Sequence, residues 1–341
     1  MSRVPRKVRL KLLDEYGYVP VARAMASDEL THFSLTGVKG FLGYLEKGGS
    51  FLVPGEPLCD VSDAKDLFSE FIDHSSTQKR KICFFGCSER LSGSARSAGY
   101  AVIKFGEEAV VDISGFSLQG NAMENVRRGF NHANNVGILV SEYIPERKRD
   151  PLMENEFHLI SDEWLKDKKT PELGFLLAPM ELNRLEGRRI FTARTKNRIE
   201  GFVILDPVRS REGWYTDIMR RRRDAPNGVN EKLLVEIIKN LDGEGAKNLF
   251  LGMVPFIGLD PQIREHGKAT KLMNSLKGRI DFLYPIESEF FFKDKFRPRW
   301  EDVFIYVYPK LTTKMIYGII SAFLQGGFVR LIKHRVRTLG K

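Results

Sequence analysis

Two short segments carry charged side chains next to predicted secondary structure, and each could do chemistry. The first is Asp217-Ile-Met-Arg220, within GWYTDIMRRRRDAPNGVNEKLL, where a predicted strand is followed by a helix. A side chain at the end of a strand in an α/β sheet commonly faces a ligand. A carboxylate there could bind a substrate ammonium, and a guanidinium could stabilise an oxyanion or bind phosphate. The alternative is a structural ion pair between Asp217 and Arg220.

The second segment is FFFKDKFRPRWEDVFIYVYP, residues 290–309, which contains Lys293 and Lys295. If this segment is extended, both lysines point the same way, because side chains alternate along a strand. The neighbouring aromatic residues would then desolvate the two amines and lower their pKa values, which suits acid–base work or anion binding. The alternative is an edge strand protected by lysines.

The elements that position these residues belong to an ordinary globular chain. It has 341 residues, 42% apolar and 29% charged, a length typical of two domains. Its cysteines, Cys59, Cys83 and Cys87, are too few for a disulfide framework, so we expect a reducing compartment and no metal site. The sequence lacks a GxSxG elbow, a P-loop and an HExxH motif. It also lacks a signal peptide and a span of about 18 apolar residues, which predicts a cytoplasmic protein.

The net charge of +10 is unevenly distributed along the chain. Residues 188–223 hold eleven Lys or Arg against four Asp or Glu, and no acidic residue follows Asp302. Such basic patches favour polyanions, either nucleic acid or an anionic bilayer. The alternative is a solvated surface with a basic bias.

Two segments of the chain resemble each other and predict an internal repeat. SDAKDLFSEFIDHSSTQKRKICFFG and NGVNEKLLVEIIKNLDGEGAKNLFLG each combine an amphipathic helix with a following strand. Leu234 follows Phe68 by 166 residues, and Gly252 follows Gly86 by the same interval. Each helix also follows a pair of strands joined by a tight turn. The sequence therefore predicts two copies of one α/β unit, with a mixed sheet and crossover helices.

The charged, proline-flanked stretch at 143–151 predicts the boundary between the two copies. We therefore expect an N-terminal domain over 1–150, a C-terminal catalytic domain over 151–310 and a basic amphipathic tail over 311–341. A helix is predicted to begin near Ser161, with that residue as its N-cap.

Duplicated α/β units of this size suit acyltransferases of the GNAT type, in which a glycine-rich loop binds the pyrophosphate of coenzyme A. RSAGYA, residues 96–101, fits the loop pattern Q/R-x-x-G-x-G/A. Such a loop must follow a strand and open a helix, so that its amides face phosphate. This one precedes a predicted strand, so we expect no coenzyme A site.

Four blocks, in order, resemble the catalytic domain of the aminoacyl-phosphatidylglycerol synthases, the multiple peptide resistance factor proteins. The likeness runs from about residue 30 to residue 309. The blocks are KFGEEAVVDISGFSLQGNAMENVRRGFNHA, ISDEWLKDKKTPELGF, DIMRRRRDAPNGVNEKLL, and NLFLGMVPF together with KDKFRPRWEDVFIYVYP.

The resemblance implies two tandem GNAT-like folds and a tRNA-dependent aminoacyl transfer. An aminoacyl group, lysine or alanine, would move from a charged tRNA to the glycerol hydroxyl of phosphatidylglycerol, with no coenzyme A or other cofactor. The implied catalytic residues are Asp217, Arg220 and Lys295, with Asp217 holding the substrate α-ammonium. Substrate-binding positions are implied at Lys293, Glu172, Arg127 and Glu231. We expect tRNA phosphates to meet the basic side chains of Arg221, Arg222 and Arg223.

Three departures from the family pattern leave the substrate open. The sequence shows no large membrane-spanning part before the catalytic blocks, so we expect no lipid flippase. Asn230-Glu231 stands where the family usually has Met-Asp, and YPIESEFF lacks the usual run before the lysine motif. The alternatives are transfer to another lipid or to a soluble small molecule, and a non-catalytic adaptor that binds RNA or membrane.

The segment 311–341 is a candidate membrane contact. Residues 315–329 are uncharged and largely apolar, and a basic cluster follows them. Fifteen residues are too short for a comfortable span, and Gly326-Gly327 interrupts a helix. We therefore expect this tail to lie on an anionic phospholipid surface and to hold the protein at the inner face of the membrane. The alternative is a C-terminal helix packed on the protein's own core.

Overall fold

The computed structural model describes residues 4–167, 180, 182, 184–259, 286–312 and 315. Its described helices are α1 (Arg6–Tyr16), α2 (Ala64–Thr77), α3 (Ser92–Ser97), α4 (Glu124–Asn135), α5 (Pro151–Asp167), α6 (Val229–Gly243) and α7 (Ile286–Asp294). Its described strands are β1 (Thr31–Phe33), β2 (Leu42–Lys47), β3 (Ser50–Pro54), β4 (Lys81–Cys87), β5 (Ala101–Asp112), β6 (Leu139–Tyr143), β7 (Arg189–Arg194), β8 (Ile199–Val208), β9 (Gly213–Arg221), β10 (Asn248–Pro255) and β11 (Arg299–Tyr308).

The described strands form one mixed sheet in the order β1-β2-β3-β4-β11-β5-β10-β9-β8-β7-β6. The two predicted copies are visible in it as β2-β3-α2-β4 and β8-β9-α6-β10. In each copy the first two strands are antiparallel, and the strand after the helix pairs in parallel with the strand before it. The predicted mixed α/β fold, built from tandem GNAT-like units, is therefore confirmed.

The long strand β5 lies between the two copies and pairs antiparallel with both β10 and β11. Strand β11, the last described strand in the chain, lies between β4 and β5. The sheet is thus continuous across the predicted boundary at 143–151, and the division into domains at that point stays a prediction.

Helix α6 shows how the sequence positions one wall of the site described below. Its apolar residues Leu233, Leu234, Ile237, Ile238 and Leu241 recur at helical spacing and are fully buried. The helix starts after Pro226-Asn227-Gly228. Gly228 has φ +85°, and a Cβ there would lie 2.0 Å from the carbonyl oxygen of Gly129 in α4. The backbones of α4 and of the start of α6 are therefore in close contact, which only glycine allows.

Separate apolar clusters fill the faces of the sheet. The N-terminal copy packs a large cluster that includes Phe68, Phe71, Phe84 and Tyr306. Helices α4 and α6 cover one face of the C-terminal half. On that half a further cluster joins Phe157 and Ile160 of α5 to strands β7–β9.

Two local predictions are wrong. Helix α5 begins at Pro151, ten residues before the predicted N-cap, and the Ser161 hydroxyl donates within the helix to the carbonyl of Phe157. The segment 290–309 is not one extended strand, because α7 ends at Asp294 and β11 starts at Arg299. Lys293 and Lys295 consequently do not share a strand face.

Nearly all of the predicted tail, 311–341, lies outside the described residues, so its membrane contact stays a prediction. Within the part of the chain that the structure describes, no helix has the length and apolar character to cross a bilayer.

Candidate active site

The sheet opens between β9 and β10. These parallel strands pair only from Gly213 to Tyr215 and from Asn248 to Phe250. Beyond this point β9 continues along β8, with a bulge at Asp217, and β10 continues along β5, with a bulge before Met253. The carboxyl ends of two neighbouring parallel strands therefore diverge, which is where α/β sheets commonly bind ligands.

Lys293 and Glu108 lie buried beside this opening. The Lys293 ammonium donates to the carbonyl oxygens of Gly252, at 2.9 Å, and of Met253, at 3.1 Å. Gly252 has φ +94°, and a Cβ on it would lie 3.1 Å from Lys293 Nζ. The β10 bulge thus directs two carbonyl groups towards the lysine, and glycine leaves room for its amine.

The environment brings the pKa values of this acid and base closer together. Burial raises the pKa of the Glu108 carboxyl to about 7, against the opposing effects of Lys293 and of the Gly252 N–H. Burial lowers the pKa of the Lys293 amine, although Glu289 and Glu108 oppose that shift. Among the described residues, Glu108 Oε1 has no hydrogen-bond partner. A buried acid and base tuned in this way are typical of a functional site.

Asp217 lies in a different buried network. Its Oδ2 accepts from Arg188 Nη2 at 2.5 Å, and the Nε of the same guanidinium donates to Asp206 Oδ1 at 2.6 Å. Arg23 approaches Asp206 at 3.7 Å, so the network reaches the N-terminal part of the chain. Arg188 is thus a cationic partner of Asp217 that the sequence did not predict.

Arg220 is buried beside α5. Its guanidinium lies 5.4 Å from the centroid of the Trp164 ring in α5, a cation–π contact. Asp217 thus contacts Arg188, and Arg220 contacts Trp164. Their catalytic roles stay predictions.

Lys295 and Glu231 lie at an open cavity of about 660 Å³. Lys295 Nζ is 3.0 Å from Glu231 Oε1, at the first turn of α6. Arg128 of α4, Arg221 at the end of β9 and the Phe292 ring also line this cavity. The structure therefore brings together Lys295, Glu231 and Arg221, and it places Lys293, only two residues from Lys295, in the buried centre.

The remaining predicted residues hold structural contacts or lie elsewhere. Arg127 donates to the carbonyl oxygens of Leu118 and Gly120, which fixes the loop before α4. Arg222 donates to the carbonyl of Ile199 and pairs with Glu156 at 3.0 Å.

Arg223 is exposed, and its backbone N–H donates to Glu163. Glu172 lies outside the described residues. The binding roles predicted for Arg127, Arg222, Arg223 and Glu172 stay predictions.

Three residues at these sites were missed by sequence reasoning. Glu108 stands in the apolar strand pattern EEAVV, and a lone carboxylate on the buried face of a strand is the signal that could have found it. Arg128 is adjacent to the predicted Arg127, but only its side chain lines the cavity. Arg188 carries no local signal, because it is one of many basic residues in 188–223.

The continuous mixed sheet, with a buried acid and base where β9 and β10 separate, defines a class: an α/β protein of tandem GNAT-like units with a polar centre at that opening. Comparison with known proteins gives the family. The model for "Phosphatidylglycerol lysyltransferase, C-terminal" matches residues 12–307. This chain therefore belongs to the family of phosphatidylglycerol lysyltransferase C-terminal domains.

Individual relatives agree with that assignment. An MprF-like domain protein of Mycobacterium tuberculosis is 25% identical over 319 residues, which cover 91% of this chain and 64% of that protein. A phosphatidylglycerol lysyltransferase of Bacillus subtilis is 25% identical over 290 residues, 81% of this chain and 33% of that protein. The chain thus spans less than two-thirds of these relatives. The structure of L-PGS from Bacillus licheniformis superposes with a TM-score of 0.78 at 21% identity, covering 94% of this chain and 97% of that one.

Proposed function

We propose that this protein is an aminoacyltransferase that moves lysine or alanine from a charged tRNA to the glycerol hydroxyl of phosphatidylglycerol, without coenzyme A. The observation that carries the proposal is the buried Lys293–Glu108 pair at the opening between β9 and β10, in a chain of this family. An aminoacyl ester is already activated, so the reaction needs positioning, a proton acceptor and stabilisation of an oxyanion.

In the proposed reaction the glycerol hydroxyl attacks the ester carbonyl of the aminoacyl-tRNA. Glu108 accepts the proton of that hydroxyl, since a carboxyl group with a pKa of about 7 is half ionised near neutral pH. The new ester bond forms as the bond to the tRNA ribose oxygen breaks, and the proton passes to that leaving oxygen. Atoms and charge balance without a cofactor.

Lys293 is the proposed donor to the tetrahedral oxygen. Its ammonium carries three N–H donors, and two of them are directed to the carbonyls of Gly252 and Met253. A fixed donor in a desolvated site lowers the barrier by about 3 kcal/mol, and positioning of the hydroxyl contributes about 7 kcal/mol or more. Asp217, at the same opening, is proposed to hold the α-ammonium of the aminoacyl group.

The test is a reconstituted transfer reaction. The purified protein is mixed with tRNA charged with labelled lysine or alanine, and with vesicles that contain or lack phosphatidylglycerol. We expect label in the lipid fraction only when phosphatidylglycerol is present. Label in vesicles without it would point to another lipid acceptor. Label that leaves the tRNA only when a soluble hydroxyl compound is added would point to a small-molecule acceptor.

A protein that binds tRNA and vesicles but transfers no label to any acceptor would be the adaptor, and the catalytic proposal would then be abandoned. The matched control for this reaction is Lys239→Met. Lys239 is an exposed lysine of α6 that pairs with Glu236, so the substitution removes an ammonium group outside the proposed site.

A further inference from the structure

Residues 6–28, called the N-terminal strap below, contact both copies of the α/β unit. The strap comprises α1 and the short 3₁₀ helix that follows it. In the N-terminal copy, Val21 packs against Gly86, where a Cβ would lie 3.0 Å from the Val21 side chain. On the C-terminal half, the Ser210 hydroxyl donates to the carbonyl of Gly17 at 2.6 Å. The strap is therefore anchored at both ends of the sheet.

Val21 has in the N-terminal copy the place that Lys293 has in the C-terminal copy. Gly86 and Gly252, 166 residues apart, both lie at bulges of their strands and have positive φ, +80° and +94°. A Cβ on Gly86 would meet the Val21 side chain, whereas a Cβ on Gly252 would meet the Lys293 amine. The strap therefore packs into the N-terminal counterpart of the active-site opening, which fixes the residues that follow Val21.

Arg23, two residues further along the strap, contacts the turn before β7. Its guanidinium donates to the carbonyls of Leu185, at 3.1 Å, and Glu186, at 3.4 Å. Glu186 has φ +50°, a conformation that a non-glycine residue keeps where surrounding contacts hold it. Arg6 adds two hydrogen bonds of 2.8 Å to the Glu186 carboxylate. The strap thus holds the turn that leads directly into Arg188.

A buried cluster of two guanidiniums and two carboxylates contains Arg23, Arg188, Asp206 and Asp217. Arg23 Nε lies 3.7 Å from Asp206 Oδ1, and no side chain of the four is more than 10% exposed. Burial lowers the pKa of the Arg23 guanidinium, whereas the charges of Asp206 and Asp217 raise it.

The cluster acts on geometry more than on stability. Desolvation offsets much of the attraction between buried charges, so the net stabilisation is small. The planar guanidinium of Arg188 bonds to Asp206 through one nitrogen and to Asp217 through another. A guanidinium joined to two carboxylates has a defined orientation, and it fixes the direction of both partners.

We propose that Arg23 and Arg188 are positioning residues, which orient the Asp217 carboxylate towards the α-ammonium of the aminoacyl group. The inference rests on the proposed function, in which Asp217 binds that ammonium. It extends the active site to the N-terminal strap, because the strap fixes both Arg23 and the turn before Arg188. The two arginines act through Asp217 and need no contact with the substrate.

The experiment compares two donors in the reconstituted transfer reaction. One is tRNA charged with the amino acid that the wild type transfers. The other is the same tRNA charged with the corresponding α-hydroxy acid, which lacks the ammonium. The variants are Arg23→Met and Arg188→Lys, the second of which keeps the positive charge but loses the planar fork. The matched control is Arg209→Met, because Arg209 also joins the strap to the C-terminal copy, through an exposed pair with Asp14 at 3.0 Å.

We expect the wild type to prefer the aminoacyl donor by about a hundredfold in kcat/KM, since the hydroxy acid offers no ammonium to the carboxylate. Arg23→Met and Arg188→Lys should each reduce this preference about tenfold, because a displaced carboxylate binds the ammonium poorly. The loss should fall on the aminoacyl donor, and kcat/KM for the hydroxy-acid donor should stay nearly unchanged. Arg209→Met should keep the wild-type preference.

Circular dichroism checks that each variant is folded. If Arg23→Met and Arg188→Lys do not fold, Arg6→Gln provides the same test, because the pair of Arg6 with Glu186 is partly exposed. Arg6→Gln should reduce the preference for the aminoacyl donor about threefold, since a partly exposed pair contributes less than a buried one.

Folded variants that keep the wild-type preference, or that slow both donors equally, would show that the cluster supports the fold alone and would overturn the inference. A wild type that transfers from both donors equally would also overturn it and would leave the proposed transfer intact. A wild type that transfers from neither donor would defeat the proposed function, and this inference with it.

Discussion

Lys293 and Lys295 are two residues apart and lie in opposite environments. Lys293, near the end of α7, is buried and donates to two backbone carbonyls at the opening of the sheet. Lys295, in the following turn, is partly exposed and pairs with Glu231 at the edge of the open cavity. One lysine is held by backbone in a desolvated site, and the other by a side chain within reach of solvent.

This difference in environment suits the two lysines to different functions. A donor in a desolvated, fixed site interacts strongly with a developing charge, whereas a partly exposed ion pair is weakened by solvent and salt. The buried lysine therefore suits the chemical step, and the open one suits recognition of a charged substrate. We consequently propose Lys293, rather than Lys295 or Arg220, as the donor to the oxyanion.

The largest effect is expected from Lys293→Met, which keeps the length of the side chain and removes the ammonium. Loss of the proposed donor should reduce kcat by about a hundred- to a thousandfold in the reconstituted transfer reaction. Lys239→Met should retain the wild-type rate. Circular dichroism checks that the Lys293→Met protein is folded. If the folded variant transfers at the wild-type rate, Lys293 takes no part in the mechanism.

Glu108→Gln should change how stability depends on pH. The folded protein holds the Glu108 proton up to about pH 7, whereas the unfolded chain, with the ordinary pKa of 4.5, loses it earlier. The free energy of unfolding of the wild type should therefore fall by about 3 kcal/mol from this group as pH rises from about 4.5 to about 7.

Urea unfolding of both proteins at pH 5 and pH 8 measures this pH-dependent loss of unfolding free energy, which should be absent from Glu108→Gln. The same substitution should abolish the rise in transfer rate with pH that ionisation of a base near pH 7 produces. Parallel stability profiles for the two proteins would show that Glu108 titrates normally.

Gly252→Ala tests whether the bulge in β10 supports the buried lysine. A Cβ at φ +94°, 3.1 Å from Lys293 Nζ, should destabilise the protein by about 1–3 kcal/mol and lower kcat by displacing the amine. The control is Gly243→Ala in α6, where a Cβ meets nothing within 4 Å and should stabilise by about 0.5–1 kcal/mol. Similar changes of stability in both variants, measured by thermal unfolding, would show that the β10 bulge does not support the buried lysine.

Lys295→Met should produce the smallest effect, and on a different kinetic constant. We expect the KM for charged tRNA to rise about tenfold with kcat nearly unchanged, because one phosphate contact is lost. The increase should shrink at higher salt. A drop in kcat at unchanged KM would instead assign Lys295 to the chemical step and reverse the comparison with Lys293.

The sequence predicts those parts of the fold that follow from local periodicity. The amphipathic pattern of α6 and the strand at β10 each depend on residues within one short segment, and the repeat follows from comparing two such segments. All three are confirmed. The extended conformation considered for 290–309 is wrong, because α7 ends inside this segment. Tertiary packing therefore decides whether its aromatic residues lie in a helix or in a strand.

The sites could be predicted only in part, since their key pairs join distant segments. Glu108 lies near enough to Lys293 for their charges to interact because β5 pairs with β10 and β11, and no local pattern encodes that strand order. Asp217 is paired by Arg188, which is one basic residue among many in its segment. The family resemblance predicts roles for Asp217, Lys293 and Lys295, but only the three-dimensional contacts separate the buried lysine from the open one.

The most direct test of the central claim is mass spectrometry of total lipids from cells that express either the wild-type protein or Lys293→Met. The account predicts a new aminoacylated phosphatidylglycerol in cells with the wild type and its absence in cells with the variant at equal protein levels. The same lipid at equal abundance in both would contradict a reaction centred on the buried lysine.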